Sequence, residues 1–174
     1  MRIIAGKYRH RGLKTLPGRE TRPMPDRLRE ALFNVIAHES EGKTFADLYA
    51  GSGAVGIEAL SRDAAHSIFV ESSAAAVRVI QENLRALGAE PQARVMRATV
   101  KDALGELKAD IFFLGPPYAL VEEYSRTLDT LGESGPNLVI VQHSARHELA
   151  GKYGGLGRSR VIQQGSNSLS FYRT

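Results

Sequence analysis

The arrangement of apolar and polar residues changes twice along the chain. Up to residue 16 they alternate loosely around Gly6 and Gly12, which indicates a small β-hairpin. From Asp26 onward, apolar residues recur at the spacing i, i+3, i+4, i+7 and i+8, which predicts an amphipathic helix. After Gly42, short apolar runs alternate with helix-length segments almost to the end of the chain.

The region after Gly42 predicts an α/β sheet. Its apolar runs predict strands at 44–49, 67–71, 93–97, 110–114 and 138–142. The segments between them predict helices at 55–61, 74–87, 101–107 and 121–131. Strands that alternate with helices run parallel and are joined by right-handed crossovers, so we expect an open, Rossmann-like, doubly wound sheet. Segments 160–163 and 168–172 predict a closing hairpin that adds one antiparallel strand near the C-terminus.

Length and composition limit the classes of protein that fit. The 174 residues suffice for one full domain, and we expect a basic hairpin and linker over 1–25 and an α/β domain over 26–174. No apolar run approaches the roughly 18 residues that span a bilayer, which excludes a membrane protein. The absence of cysteine excludes disulfides, a thiolate nucleophile and cysteine-ligated zinc. We therefore expect a cytoplasmic protein without a metal. We also expect a monomer.

The positive charge is concentrated at the N-terminus. Residues 1–29 contain nine Lys or Arg against two acidic residues, whereas the remaining 145 residues contain 14 basic and 17 acidic ones. Concentrated positive charge of this kind attracts phosphate backbones, although a merely solvated basic surface is the alternative. We expect Arg27 and Arg29 on the solvent side of the first helical turn. The candidate RNA contacts are Lys7, Arg9, Arg11, Lys14, Arg22, Arg27 and Arg29.

A glycine-rich turn, Gly51-Ser52-Gly53, follows the first predicted strand, with Asp47 near the end of that strand. Glycines there permit positive φ and let a ligand approach the backbone. Glu71 ends the second strand, where a carboxylate accepts hydrogen bonds from ribose hydroxyls. A nucleotide phosphate is the rival ligand, but Asp47 would repel it and instead suits an ammonium group. These features favour S-adenosylmethionine.

The candidate cofactor contacts fall into two groups. Those around the glycine turn and the second strand end are Asp47, Tyr49, Ala50, Gly51, Ser52, Gly53, Glu71 and Ser72. The adenine contact should come from the loop after the third strand, through Thr99 or a backbone amide near Val100. Asp102 is the alternative contact there, or else a residue that caps the next helix.

A diproline turn, Pro116-Pro117-Tyr118, follows the fourth predicted strand. Proline has no backbone N–H, so the turn offers carbonyl acceptors and few donors, which suits an exocyclic NH₂ group. Tyr118 can stack on a flipped base. A purely structural turn with a core tyrosine is the alternative.

Together with Glu71, these two loops resemble those of class I methyltransferases that act on exocyclic amines. Segments 1–6, 21–23, 26–34, 50–62 and 169–172 are similar to the RsmD-type bacterial methyltransferases. That family methylates N2 of a guanine in 16S ribosomal RNA. The resemblance therefore implies this reaction, S-adenosylmethionine as cofactor, and 16S ribosomal RNA or the assembling small subunit as partner.

The chain departs from the family pattern at two places. The family motif is Asp-Pro-Pro-Tyr/Phe, and the acid is replaced here by Gly115; Gln142 and His143 follow the fifth strand, where the family usually has an acid. The implied catalytic set is Gly115, Pro116, Pro117 and Tyr118, with backbone carbonyls of the first two accepting from the amine. The alternatives are a DNA amino-methyltransferase and a non-catalytic RNA-binding protein that retains the cofactor.

Overall fold

A computed structural model describes residues 1–17 and 23–174, and in them a single sheet runs through the domain. Its strand order is β3-β2-β1-β4-β5-β8-β7-β6. The strands are β1 (Thr44–Leu48), β2 (His66–Glu71), β3 (Ala93–Arg97), β4 (Ile111–Leu114), β5 (Leu138–Ser144), β6 (Lys152–Tyr153), β7 (Leu156–Gln164) and β8 (Asn167–Arg173). The helices are α1 (Asp26–Val35), α2 (Ala37–Ser40), α3 (Ala54–Ser61), α4 (Ala74–Leu87), α5 (Val100–Ala103) and α6 (Val121–Ser134), with 3₁₀ turns at Glu90–Gln92 and Leu104–Glu106.

The first five strands confirm the Rossmann-like prediction. β1 pairs in parallel with β2 on one side and with β4 on the other, and β4 pairs in parallel with β5. The strand order therefore reverses at β1 and β4. In open α/β sheets, ligands bind beyond the carboxyl ends of the strands at such a switch point.

Helices cover both faces of the sheet. Neighbouring residues of one strand enter different clusters: Phe45 packs with α1, and Ala46 packs in the cluster that contains residues of α6. A parallel strand with both faces covered reads as a continuous apolar run, which is why β1 and β4 were predictable.

The antiparallel part of the sheet is larger than the one strand expected. β8 pairs antiparallel with β5, β7 with β8, and the two-residue β6 with β7. The predicted closing hairpin is present, and its turn contains Gly165 in the left-handed region. Most of β7 is exposed, so it lacks the apolar run by which the buried strands were found.

The N-terminal segment, residues 1–17, closes on itself with one antiparallel bridge between Arg2 and Gly12 and not as two regular strands. Gly6 and His10 both have positive φ, and the chain between them makes turns. Ile3 and Leu13 are buried in a cluster with residues of α3 and α4. The segment is therefore packed on the domain.

The expected solvent-side position of Arg29 is wrong. Its side chain is fully buried, its Nη2 donates to the carbonyl of Arg2 at 2.6 Å and to Asp26 at 3.1 Å, and its Nε lies 3.6 Å from Glu58. Burial lowers the pKa of Arg29, and the negative charges of Glu58 and Asp26 oppose that shift. Arg27 is exposed as expected, whereas Arg22 lies outside the described residues.

Candidate active site

The described residues form a cleft of about 960 Å³ at the carboxyl ends of the central strands. The loops after β1, β2 and β4 line it, together with Gln142 of β5. The N-terminal segment contributes Met1, Thr15 and Leu16, and Pro23–Asp26 closes another side. The cleft therefore brings together the glycine turn and the diproline turn.

The glycine turn presents its backbone to the cleft. Gly51 and Gly53 have φ of +57° and +80°, and Tyr49 also has a positive φ, of +63°. Gly53 precedes the first residue of α3. A β-carbon on Gly56 would lie 2.4 Å from Cε1 of Phe69, so only glycine lets α3 pack this closely on β2.

Asp47 lines the cleft with a buried carboxyl group. Its Oδ2 accepts a hydrogen bond from the N–H of Gly56 at 2.8 Å. Burial raises the pKa of Asp47 to about 8; the bond from Gly56 opposes this rise, and the charge of Glu71 adds to it. A cationic ligand beside Asp47 would favour the ionised carboxylate.

Glu71 is held in place by two backbone N–H groups. Its Oε2 accepts from Gly51 at 2.9 Å and its Oε1 accepts from Ser73 at 2.8 Å. Each carboxylate oxygen has a further lone pair for a ligand hydroxyl. Ser72 beside it also lines the cleft, so these residues fit the ribose of S-adenosylmethionine.

Thr99 and Val100 are not among the described residues that line this cleft. Thr99 caps α5: its Oγ1 accepts from the N–H of Asp102 at 3.2 Å and donates to that carboxylate at 2.7 Å. The side chain of Val100 is buried in the core. Their contact with adenine therefore stays a prediction.

The diproline turn follows β4, which pairs with β1, and it lines the same cleft as the glycine turn. Tyr118 Oη donates to Oδ1 of Asn167 at 2.5 Å and accepts from Nε2 of Gln142 at 3.3 Å. Pro116 and Pro117 both line the cleft. Gly115 also lines it, and a β-carbon there would lie 3.0 Å from the Phe113 ring and 3.7 Å from Oε1 of Gln142.

Several cleft residues were not predicted from the sequence. Gln142 stands near the end of β5, and the rule that ligands meet the carboxyl ends of strands would have found it. Leu120 is 46% exposed at the cleft, and no motif marks it. Met1, Thr15 and Leu16 reach the cleft because the N-terminal segment packs on α3 and α4, and Pro23–Asp26 reach it at the start of α1.

The remaining basic candidates lie on the surface. Lys7 donates to Gln92, Arg11 donates to the carbonyl of Ala86, and Lys14 pairs with Glu82 at 2.8 Å. Arg9 and Arg27 are exposed. The three contacts made by Lys7, Arg11 and Lys14 place the N-terminal segment along α4 and the 3₁₀ turn after it.

The described residues contain neither a membrane-spanning helix nor a cluster of metal ligands. Residues 1–17 and 23–174 contain no helix long and apolar enough to cross a bilayer. The same residues contain no group of three or more His, Asp or Glu placed to hold a metal ion.

A family model described as conserved hypothetical protein 95, which represents the RsmD family, matches residues 1–173. The chain belongs to the RsmD-type family. It is 34% identical to the putative rRNA methyltransferase YlbH of Bacillus subtilis, over 99% of this chain and 98% of that protein. It is 37% identical to the ribosomal RNA small subunit methyltransferase D of Escherichia coli K12, over 78% of this chain and 68% of that protein.

Solved structures agree with this membership. The putative methyltransferase yhhF from Escherichia coli superposes with a TM-score of 0.86 at 32% identity, covering 99% of this chain and 97% of that one. An RNA methyltransferase from Salinibacter ruber in complex with S-adenosyl-L-homocysteine shares the fold, with a TM-score of 0.69 at 15% identity, over 87% of this chain and 93% of that one. The class I methyltransferase fold is thereby confirmed for this RsmD-type chain. Methyl transfer to RNA is the activity that these relatives support.

Proposed function

We propose that this protein transfers a methyl group from S-adenosylmethionine to N2 of a guanine in small-subunit ribosomal RNA. One observation carries the proposal: a single cleft is lined both by a carboxylate pair beside a glycine turn and by a diproline-tyrosine turn. The first arrangement fits the cofactor and the second fits a flat base with an exocyclic amine. The names of the bacterial relatives support ribosomal RNA as the substrate.

In this proposal the cofactor half of the cleft is built from three parts. Glu71 accepts hydrogen bonds from the ribose hydroxyls, and Asp47 faces the ammonium group of the methionyl part. The turn over Gly51–Gly53 lies beneath that part, with no β-carbon at either glycine to keep it away. When bound, the sulfonium cofactor supplies an electrophilic methyl group.

The base half positions the nucleophile. Tyr118 stacks on the guanine ring, and its hydroxyl is fixed by Asn167 and Gln142. The carbonyls of Gly115 and Pro116 face the amine. An amine that attacks a sulfonium needs orientation more than a strong base, because the surplus proton leaves after transfer. A chain with glycine at position 115 therefore remains catalytic.

Residues 1–25 act as the RNA-binding arm in this proposal, and 26–174 act as the methyltransferase domain. Lys7, Arg9, Arg11 and Lys14 meet phosphates, and the exposed Arg27 provides a further phosphate contact. Charge of one sign on a surface next to the cleft mouth raises the local concentration of RNA. A monomer acting in the cytoplasm on 16S ribosomal RNA, or on the assembling subunit, completes the proposal.

The test is a methyl-transfer assay on small-subunit particles from a methylation-deficient bacterial strain. Nucleoside mass spectrometry should find N2-methylguanosine after incubation with the protein and cofactor, and Tyr118→Ala should lower its rate of formation sharply. Methylated adenine or cytosine in DNA would favour the DNA amino-methyltransferase. Cofactor binding without any methylated nucleoside would favour the other alternative, a non-catalytic RNA-binding protein that retains the cofactor.

A further inference from the structure

The side-chain carbonyl of Gln142 faces the place where the family motif has its acid. Oε1 of Gln142 lies 3.7 Å from the position that a β-carbon on residue 115 would occupy. In the part of the chain that the structure describes, no donor is hydrogen-bonded to this oxygen, and Gln142 lines the cleft. A free acceptor therefore stands on β5 beside the vacancy left by Gly115.

The orientation of this amide is set by its neighbours. Tyr118 has one hydroxyl hydrogen and uses it toward Oδ1 of Asn167 at 2.5 Å. Tyr118 Oη can then only accept, so Gln142 presents its NH₂ group to it, at 3.3 Å. The carbonyl end of Gln142 is thereby held away from the tyrosine and toward Gly115.

The following residue does not compete for this role. His143 is buried, and its two ring nitrogens lie 2.9 Å from Oγ of Ser170 and from the carbonyl of Ser144. Both of its polar atoms are therefore engaged within the protein. Along β5, Gln142 is the residue that offers a side-chain acceptor to the cleft.

We propose that Oε1 of Gln142 is the side-chain acceptor that positions the target amine, and that it replaces from β5 the carboxylate missing at Gly115. This inference rests on the proposed function. It adds a residue to the site, since the carbonyls of Gly115 and Pro116 then share the amine with a side chain held by Tyr118.

The proposed reaction needs only a hydrogen-bond acceptor beside the amine, and a carboxamide provides one. The N2–H group donates to Oε1, which orients the amine so that its lone pair faces the methyl group. The new C–N bond forms as the S–CH₃ bond breaks, with that electron pair remaining on sulfur. The surplus proton on N2 then passes to water, because a carboxamide does not take up a proton near neutral pH.

The experiment compares Gln142→Met, Gly115→Asp and the double variant in the same assay. Methionine keeps the length of the side chain but removes the acceptor, so turnover should fall roughly ten- to a hundredfold. The affinity for the cofactor should not change. In the double variant, the aspartate should restore most of the lost turnover, since Phe113 need shift by only a few tenths of an ångström to admit it.

Gln142→Glu provides the matched control. It keeps an acceptor oxygen in the place of Oε1 but removes the NH₂ group that donates to Tyr118, so its effect on turnover should be clearly smaller than that of Gln142→Met. Equal losses in these two variants, with no rescue by Gly115→Asp, would overturn the inference and reduce Gln142 to an anchor for Tyr118. Thermal unfolding of each variant identifies any loss of fold.

The two proposals fail in different ways. If the wild-type protein methylates guanine N2 and Gln142→Met is equally active, the inference about Gln142 is overturned and the proposed function stands. If the wild-type protein produces no N2-methylguanosine, both are overturned.

Discussion

The two halves of the cleft are held by different kinds of contact. In the cofactor half, the carboxylates of Asp47 and Glu71 accept from backbone N–H groups. In the base half, Tyr118 is fixed by hydrogen bonds to other side chains, those of Asn167 and Gln142. Backbone donors are positioned by the fold itself, whereas a side-chain network changes when one member is replaced. The cofactor half should therefore tolerate changes in the base half.

The largest expected effect in the cofactor half is that of Glu71→Ala. The loss of a charge-assisted hydrogen-bonding group should weaken cofactor binding by about 1.5–3 kcal/mol, or roughly ten- to a hundredfold in Kd. Calorimetric titration measures it, and Glu90→Ala, which removes an exposed carboxylate outside the cleft, is the control. Unchanged cofactor affinity in Glu71→Ala would contradict the assignment of Glu71 to the ribose, and with it the contrast between the two halves of the cleft.

The scaffold under that half is tested by Gly56→Ala. The added methyl group would meet Phe69 at 2.4 Å, so we expect a loss of about 1–3 kcal/mol in the free energy of unfolding. Chemical denaturation measures this loss. The control is Gly105→Ala, whose β-carbon meets nothing within 4 Å. Recovery of stability in Gly56→Ala combined with Phe69→Leu would assign the loss to this contact, and an equally stable Gly56→Ala would refute it.

The carboxyl group of Asp47 makes cofactor binding depend on pH. Its pKa of about 8 means that it is largely protonated in the cofactor-free protein at neutral pH, and an ammonium group favours the carboxylate. Binding should therefore release a proton, and affinity should rise by up to about tenfold per pH unit below pH 8 and fall above it, where the ammonium group of the cofactor loses its own proton. Asp47→Asn should flatten the profile. If the affinity of the wild-type protein for the cofactor does not vary with pH, the proposed contact between Asp47 and the ammonium group is wrong.

The same group also affects stability without cofactor. Because its pKa is raised on folding, the folded state binds the proton more tightly than the unfolded state. This group's contribution to stability is therefore lost as pH rises from about 4 to about 8. Denaturation of Asp47→Asn should lack that component of the pH dependence, and an unchanged dependence would assign it to other groups.

The smallest expected effects concern RNA and leave the cofactor half untouched. Arg9→Ala should reduce the slope of RNA affinity against salt by about one, and adding Arg11→Ala and Lys14→Ala by up to about three. Lys152→Ala, in β6 at the opposite edge of the sheet from β3, is the control. An unchanged slope in the triple variant would show that the N-terminal segment is only a solvated surface.

The cofactor half was predictable because its signals are local. Each of its parts stands at or near the end of a strand: the turn over Gly51–Gly53 and the carboxylates of Asp47 and Glu71. Buried strands such as β4 can be recognised in the sequence as apolar runs. The strands that were missed or shortened, β6 and most of β7, are short or exposed and carry no such run.

The contacts of the base half and the position of Arg29 depend on partners that are far away in the sequence, so they could not be predicted. Gln142 and Asn167 lie 24 and 49 residues from Tyr118, so no local pattern joins them. Arg29 was placed in solvent because a charged residue is rarely buried without a partner. Its partner Glu58 lies 29 residues away in α3, and only the folded chain shows the pair.

Glu58, buried in α3, accepts hydrogen bonds from the N–H groups of Ile4 and Ala5 as well as from Arg62. The N–H of Lys7 donates to the carbonyl of Ser61, the last residue of the same helix. The conformational entropy of this stretch is therefore already lost when the domain folds, and an incoming RNA does not have to order it. Because α3 starts directly after Gly53, this helix fixes the distance between a phosphate bound at the N-terminal segment and the methyl group of a cofactor bound at the glycine turn.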